Sequence, residues 1–103
     1  MEKFIVERTE DKDIEFEGKL VAVFKSQPHY AGIGHSVEFN LFKTRANKYV
    51  CQKKHLSQWP GCGTTYEAII GETEEEVIAF FGLGEGGKKL YEIAGITATE
   101  KVE

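Results

Sequence analysis

Cys51, His55 and Cys62, with His29 and His35 in an earlier stretch, are the side-chain types that hold zinc or supply a thiol nucleophile. Their spacing argues against a shared ion. Positions 51 and 55 fall in a run that reads as a strand. Four residues at the strand rise separate them by about 13 Å, whereas zinc ligands sit about 2 Å from the metal. A site from Cys62, His55 and a loop histidine escapes that objection, but no C-x-x-C or H-E-x-x-H spacing accompanies it. A cysteine nucleophile needs a neighbouring base and a lowered pKa, and the sequence places no acid, base and nucleophile together. We therefore expect neither a metal nor a cofactor, and lean away from an enzyme.

Residues 82–88, GLGEGGK, match G-x-G-x-x-G and also G-x-x-x-x-G-K. A phosphate loop follows a strand, opens a helix and places Ser or Thr after its lysine to hold magnesium. Here Lys89 takes the hydroxyl position and the segment follows a helical pattern, so a glycine-rich link between two helices is the expected reading.

Charge singles out a third set. From Phe39 to Tyr66 no residue is acidic, while Lys43, Arg45, Lys48, Lys53 and Lys54 are basic; acidic residues fill both flanks, and the net charge is −4. Such a distribution bears on partners rather than on fold. Two aromatic-bearing loops border this middle: SQPHYAGIGH, with Tyr30, and SQWPGCG, with Trp59, the only tryptophan. Aromatics contribute disproportionately to interfaces.

The elements that position these residues follow from periodicity. Val37, Phe39 and Leu41 alternate with Glu38 and Asn40, the pattern of a strand with one buried face. If Arg45, Ala46 and Asn47 form a three-residue turn with Asn47 left-handed, Leu41 faces Cys51 and Lys43 faces Tyr49. Tyr49 and Cys51 then point to the core, with Lys48, Gln52 and Lys54 outside. Phe42 lands on the polar face and needs a cover, from the N-terminal strand or a helix. Upstream, Phe4 and Val6 mark a short strand. The even positions Ile14, Phe16, Leu20, Ala22 and Phe24 run in one phase through Gly18, as one bent strand or two that meet there. Thr64 to Ile70 forms the last strand.

Thr73 and Glu76 match the S/T-x-x-E capping box, with Val77, Phe80 and Phe81 at helical spacing behind them. Glu72, Glu74, Glu75 and Glu76 resemble a metal cluster, but carboxylates at a helix start are favoured by its free amides. Gly82 ends this helix. Gly86 or Gly87 opens a second, with Leu90, Ile93 and Ala94 inward, Gly95 as its stop and Ile96 packed just beyond.

A chain of 103 residues, 41% hydrophobic, supports one core and should bury roughly 65% of its unfolded surface. No leader-like or membrane-spanning apolar run occurs, so a cytoplasmic location is expected, with both cysteines more simply free thiols than a disulfide. The expected architecture is a single α+β domain over residues 1–103. It is an antiparallel β-meander of about five strands with two short C-terminal helices packed on one face, meeting Phe4, Leu20, Phe24, Phe39 and Leu41.

The expected role is a small non-catalytic binding module, regulatory or inhibitory, that contacts another protein through Lys43, Arg45, Lys48, Lys53, Lys54, His55, Trp59 and Tyr30. The alternative is nucleic-acid binding: hairpin cations on phosphates, with Tyr49, His55 or Trp59 stacking on bases. Overall acidity speaks against it. A small metal- or thiol-dependent enzyme is the second alternative.

Overall fold

A computed structural model describes residues 2–25, 35–57 and 64–97, with the side chains of 35, 56 and 57 left aside. The chain forms strands β1 (Glu2–Val6), β2 (Ile14–Lys25), β3 (His35–Thr44), β4 (Tyr49–Ser57) and β5 (Thr65–Gly71). Helices α1 (Glu74–Phe81) and α2 (Glu85–Ala94) follow. The strands make one antiparallel sheet in chain order. This is the expected α+β meander. No helix among the described residues is long and apolar enough to cross a membrane.

The central hairpin takes the register that its turn chemistry dictates. Asn47 adopts φ 64°, its N–H donates to Thr44 O at 2.9 Å, and Lys48 N–H donates to Thr44 Oγ1 at 3.0 Å. Leu41 consequently faces Cys51 and Lys43 faces Tyr49.

One face of the sheet carries the helices. Ala22, Leu41 and Cys51 meet Val77, Phe81, Leu90, Tyr91 and Ile96 there, with Phe24 and Phe39 against them. Thr73 caps α1, its Oγ1 accepting from Glu76 N–H at 3.2 Å. The Glu76 carboxylate turns back to the Glu72 N–H. The acidic first turn is thus accounted for by capping and by the helix dipole.

The other face is buried as well, which corrects the expectation that Gln52 points outward. Gln52 is only 4% exposed. The sheet curls, and β1 with the first half of β2 folds across this second face. Val6 and Ile14 pack on Phe42, Val50 and Ala68, with Phe4 and Phe16 alongside. The Phe42 ring lies 5.1 Å from that of Phe4 and 5.3 Å from that of Phe16, so the N-terminal strands provide its cover. Phe4 therefore meets this layer, not the helices, and Leu20 is left 48% exposed.

Two devices in β2 allow this. A Cβ on Gly18 would collide with Lys43 O and press on Thr44 Cα, so glycine alone admits the close approach of β2 to β3. Past Gly18 a bulge shifts the pairing between Leu20 and Ala22. An extra residue reverses which face each later side chain takes. The even positions thus begin on the second face and end, as Ala22 and Phe24, beneath the helices.

The second helix starts earlier than expected. Gly84 is its N-cap, and Gly86 and Gly87 lie inside it. A Cβ at Gly86 would come within 2.6 Å of the Phe24 ring, and one at Gly87 would strike Gly82 O. These glycines let α2 press on the sheet and on the end of α1. Tyr91 replaces Ile93 in the inner stripe, leaving Ile93 62% exposed. The Tyr91 hydroxyl donates to Gly82 O at 2.7 Å, serving a carbonyl at the end of α1, and lies 3.3 Å from Ile78 O, which also accepts from Gly82 N–H.

Candidate functional site

The cationic stretch does not form one surface. Alternation along β3 and β4 sends Lys43 and Lys53 to the helix side, where Lys53 Nζ lies 4.6 Å from the centre of the Phe80 ring and Lys43 Nζ 5.4 Å from that of Tyr49. Lys54 points to the opposite face and pairs with Glu38 at 3.2 Å. Lys48 reaches Glu72 at 3.6 Å and Arg45 reaches Glu17 at 3.5 Å. His55 Nε2 lies 3.6 Å from Glu67 Oε2. Each basic side chain thus has a local anionic or aromatic neighbour, and the acidic flanks fold back onto the basic middle. Tyr30 and Trp59 lie outside the described residues, as do His29 and Cys62.

Cys51 is fully buried beneath the helices. Burial pushes its thiol up to about 12, reinforced by the Glu76 carboxylate. A thiol held protonated in this way serves neither as nucleophile nor as metal ligand at neutral pH. Among the described residues no group of three or more His, Cys, Asp or Glu side chains is placed to hold a metal ion. The GLGEGGK segment is a helix connection, with Gly82 at φ 83° closing α1.

Two features outside the predicted set stand out. The first is the outer edge of β5. Thr9 N–H donates to Tyr66 O at 2.8 Å, and Tyr66 N–H donates to Thr9 Oγ1 at 2.7 Å. Both backbone groups of Tyr66 therefore point away from β4. In an antiparallel strand alternate residues share that direction, so the N–H and C=O groups of Ala68 and Ile70 also face outward. Among the described residues Thr9 bonds this edge at Tyr66, Ala68 is itself buried in the second core, and the Ile70 end is exposed. Beside the uncovered part, Ile69, Ile70, Ala79 and Phe80 line a shallow groove between β5 and α1, and Ile70 is 55% exposed.

The second is a polar group on the inner face. Asn40 Nδ2 donates to Glu38 Oε2 at 2.8 Å and to Gln52 Oε1 at 3.2 Å, and Gln52 Nε2 donates to Glu7 O at 3.1 Å. Burial alone would raise the Glu38 carboxyl. Hydrogen bonds from Asn40 and Lys54, with the charges of Lys54 and Lys25, outweigh that and hold it below its ordinary value. The pairing of Asn40 with Gln52 was implicit in the hairpin register, because Leu41 opposite Cys51 puts position 40 opposite position 52.

Comparison with protein-family models, with curated proteins and with solved structures finds no match for this chain. Its class therefore rests on the fold and on these surfaces: a curled antiparallel sheet, helices on one face, and one sheet edge partly uncovered.

Proposed function

We propose that this chain is a small non-catalytic binding module that takes an extended segment of another protein along the open edge of β5. The observation that carries this reading is Ile70, 55% exposed, whose outward N–H and C=O groups run beside the Ile69–Phe80 groove. Strand addition draws affinity from such main-chain groups and specificity from the flanking pockets. Proteins usually blunt exposed edges, and among the described residues Thr9 blunts this one at its Tyr66 end.

Charge specifies the occupant. Glu76 lines the groove, and Glu67, Glu72, Glu74 and Glu75 belong to β5, the start of α1 and the link between them. The basic side chains among them are Lys48 on Glu72, His55 by Glu67 and Lys53 over Phe80. A segment carrying an apolar side chain between lysines or arginines complements this edge. A second copy of the chain would instead oppose carboxylates to carboxylates. The hairpin cations, engaged within the fold and split between faces, contribute less than their clustering in sequence implies. That dispersal also weakens the nucleic-acid reading, which needs a continuous cationic track.

Affinity capture from nuclease-treated lysate tests the proposal, with wild type beside Ile70→Lys and Arg45→Ala/Lys54→Ala. The partner should be lost with Ile70→Lys and retained with the hairpin variant. Loss through the hairpin variant alone would return the contact surface to the basic hairpin.

A further inference from the structure

We infer that the recess between β1 and the inner face of β3 and β4 is a binding site for a neutral, planar ring bearing an N–H beside a carbonyl, the lactam edge of a uracil-type base. The recess holds about 320 Å³, within the size range of small-ligand sites. Its two sides differ in chemistry. Phe4, Phe42 and Leu20 form an apolar side; Glu38, Asn40, Gln52 and Lys54 form a polar one.

The polar side holds hydrogen-bonding capacity that the fold does not consume. Asn40 spends its NH₂ on Glu38 and Gln52, yet among the described residues no donor reaches its Oδ1. Asn40 lines the recess and is 7% exposed. Lys54 bonds the same carboxylate oxygen, Glu38 Oε2, at 3.2 Å, and its ammonium keeps further donors. Asn40, through Nδ2, and Lys54 thus share one atom, Glu38 Oε2, and both line the recess, one with an amide oxygen and the other with an ammonium.

That pairing matches a ring N–H next to a ring C=O: the N–H donates to Asn40 Oδ1 and the carbonyl accepts from Lys54 Nζ. The ring face lies on Phe4 and Leu20, the latter half exposed at the rim. An anionic ligand would meet Glu38 and Glu7, and a cationic one Lys54, so a neutral ligand fits best. The Gln52 bond to Glu7 O fastens the end of β1 and accounts for Gln52. Among the described residues no such bond accounts for the Asn40 oxygen.

Titration of the ¹⁵N-labelled full chain with uridine, followed by NMR, tests the inference. Saturable shifts are expected at the side-chain amides of Asn40 and Gln52 and at the backbone of Leu20. N3-methyluridine, which carries a methyl in place of the ring N–H, should bind about tenfold or more weakly, as should uridine to Lys54→Met, since a buried group left unpaired costs that much. Equal binding of the two nucleosides to the wild-type chain, or no saturable shift at millimolar uridine, overturns the assignment.

Discussion

Thr9 and Tyr66 are tied across 57 positions of sequence by two hydrogen bonds, one from each backbone N–H. The link between β1 and β2 thereby reaches β5, at the far side of the sheet. Among the described residues it leaves Ile70 exposed further along the same edge. Thr9→Val keeps the shape of the side chain but removes the acceptor for Tyr66 N–H. The expected result is a loss of about 1 kcal/mol in denaturant unfolding, with faster amide exchange at Tyr66. Unchanged exchange there would show that Thr9 does not seal the edge.

Gly18 should tolerate no side chain. Gly18→Ala drives a Cβ into Lys43 O, a backbone atom that cannot swing aside, so destabilisation of about 2 kcal/mol or more is expected. Gly84→Ala is the control, because nothing lies within 4 Å of its Cβ position and only a fraction of capping preference is lost, about 0.5 kcal/mol. Equal thermal midpoints for the two variants would contradict the close β2–β3 approach.

Tyr91→Phe removes the hydroxyl that serves Gly82 O at the end of α1. A partly buried carbonyl then loses its donor, at a cost of about 1 kcal/mol. A circular-dichroism melt compared with wild type measures it, and an unshifted midpoint would mean that water replaces the phenol.

Alkaline pH should destabilise the fold through two buried acids. Burial pushes Cys51 from 9.0 up to about 12 and Tyr91 from 10.0 up to about 12. The folded chain therefore holds these protons more tightly than the unfolded chain. The stability they contribute is complete below about pH 9 and declines as pH rises toward about 12. Denaturant midpoints should fall across that window, less steeply in Cys51→Val. In the folded chain at about pH 8, peptide mapping should find Cys51 unmodified by an alkylating agent, becoming reactive on unfolding.

Acid acts in the opposite sense through Glu38. Its folded carboxyl lies below the ordinary 4.5, so its contribution is present above the unfolded value and is lost as pH falls through the folded one. Glu38→Gln should flatten the acid limb of the stability profile. An identical acid limb would show that Asn40, Lys54 and Lys25 do not hold the carboxylate in place.

Much of the fold was legible in local pattern. Asn47, left-handed in a three-residue turn, set the hairpin register, and the Thr73–Glu76 pair marked the start of α1. The bulge between Leu20 and Ala22 was not legible, because the even positions stay apolar on both sides of it while the face they occupy changes. Gln52 was misplaced for a related reason. A polar residue on an alternating strand reads as solvent-facing until the N-terminal hairpin folds over it. The candidate site was less legible still. Clustering of Lys43 to Lys54 in sequence implied one patch, but a pleated strand sends neighbours to opposite faces, as Lys53 and Lys54 show. The open edge at Ile70 is made of backbone groups, and its exposure depends on where the N-terminal strands land.

Amide hydrogen exchange of the whole chain, free and with its captured protein partner, tests the proposed strand addition most directly. In the free chain Ile70 should exchange quickly while Tyr66 and Ile69 are slow. In the complex Ile70 should slow by an order of magnitude or more, with the hairpin tip at Arg45 to Lys48 unchanged. Protection confined to the hairpin, with Ile70 exchanging as fast as before, would contradict the proposed role of the β5 edge.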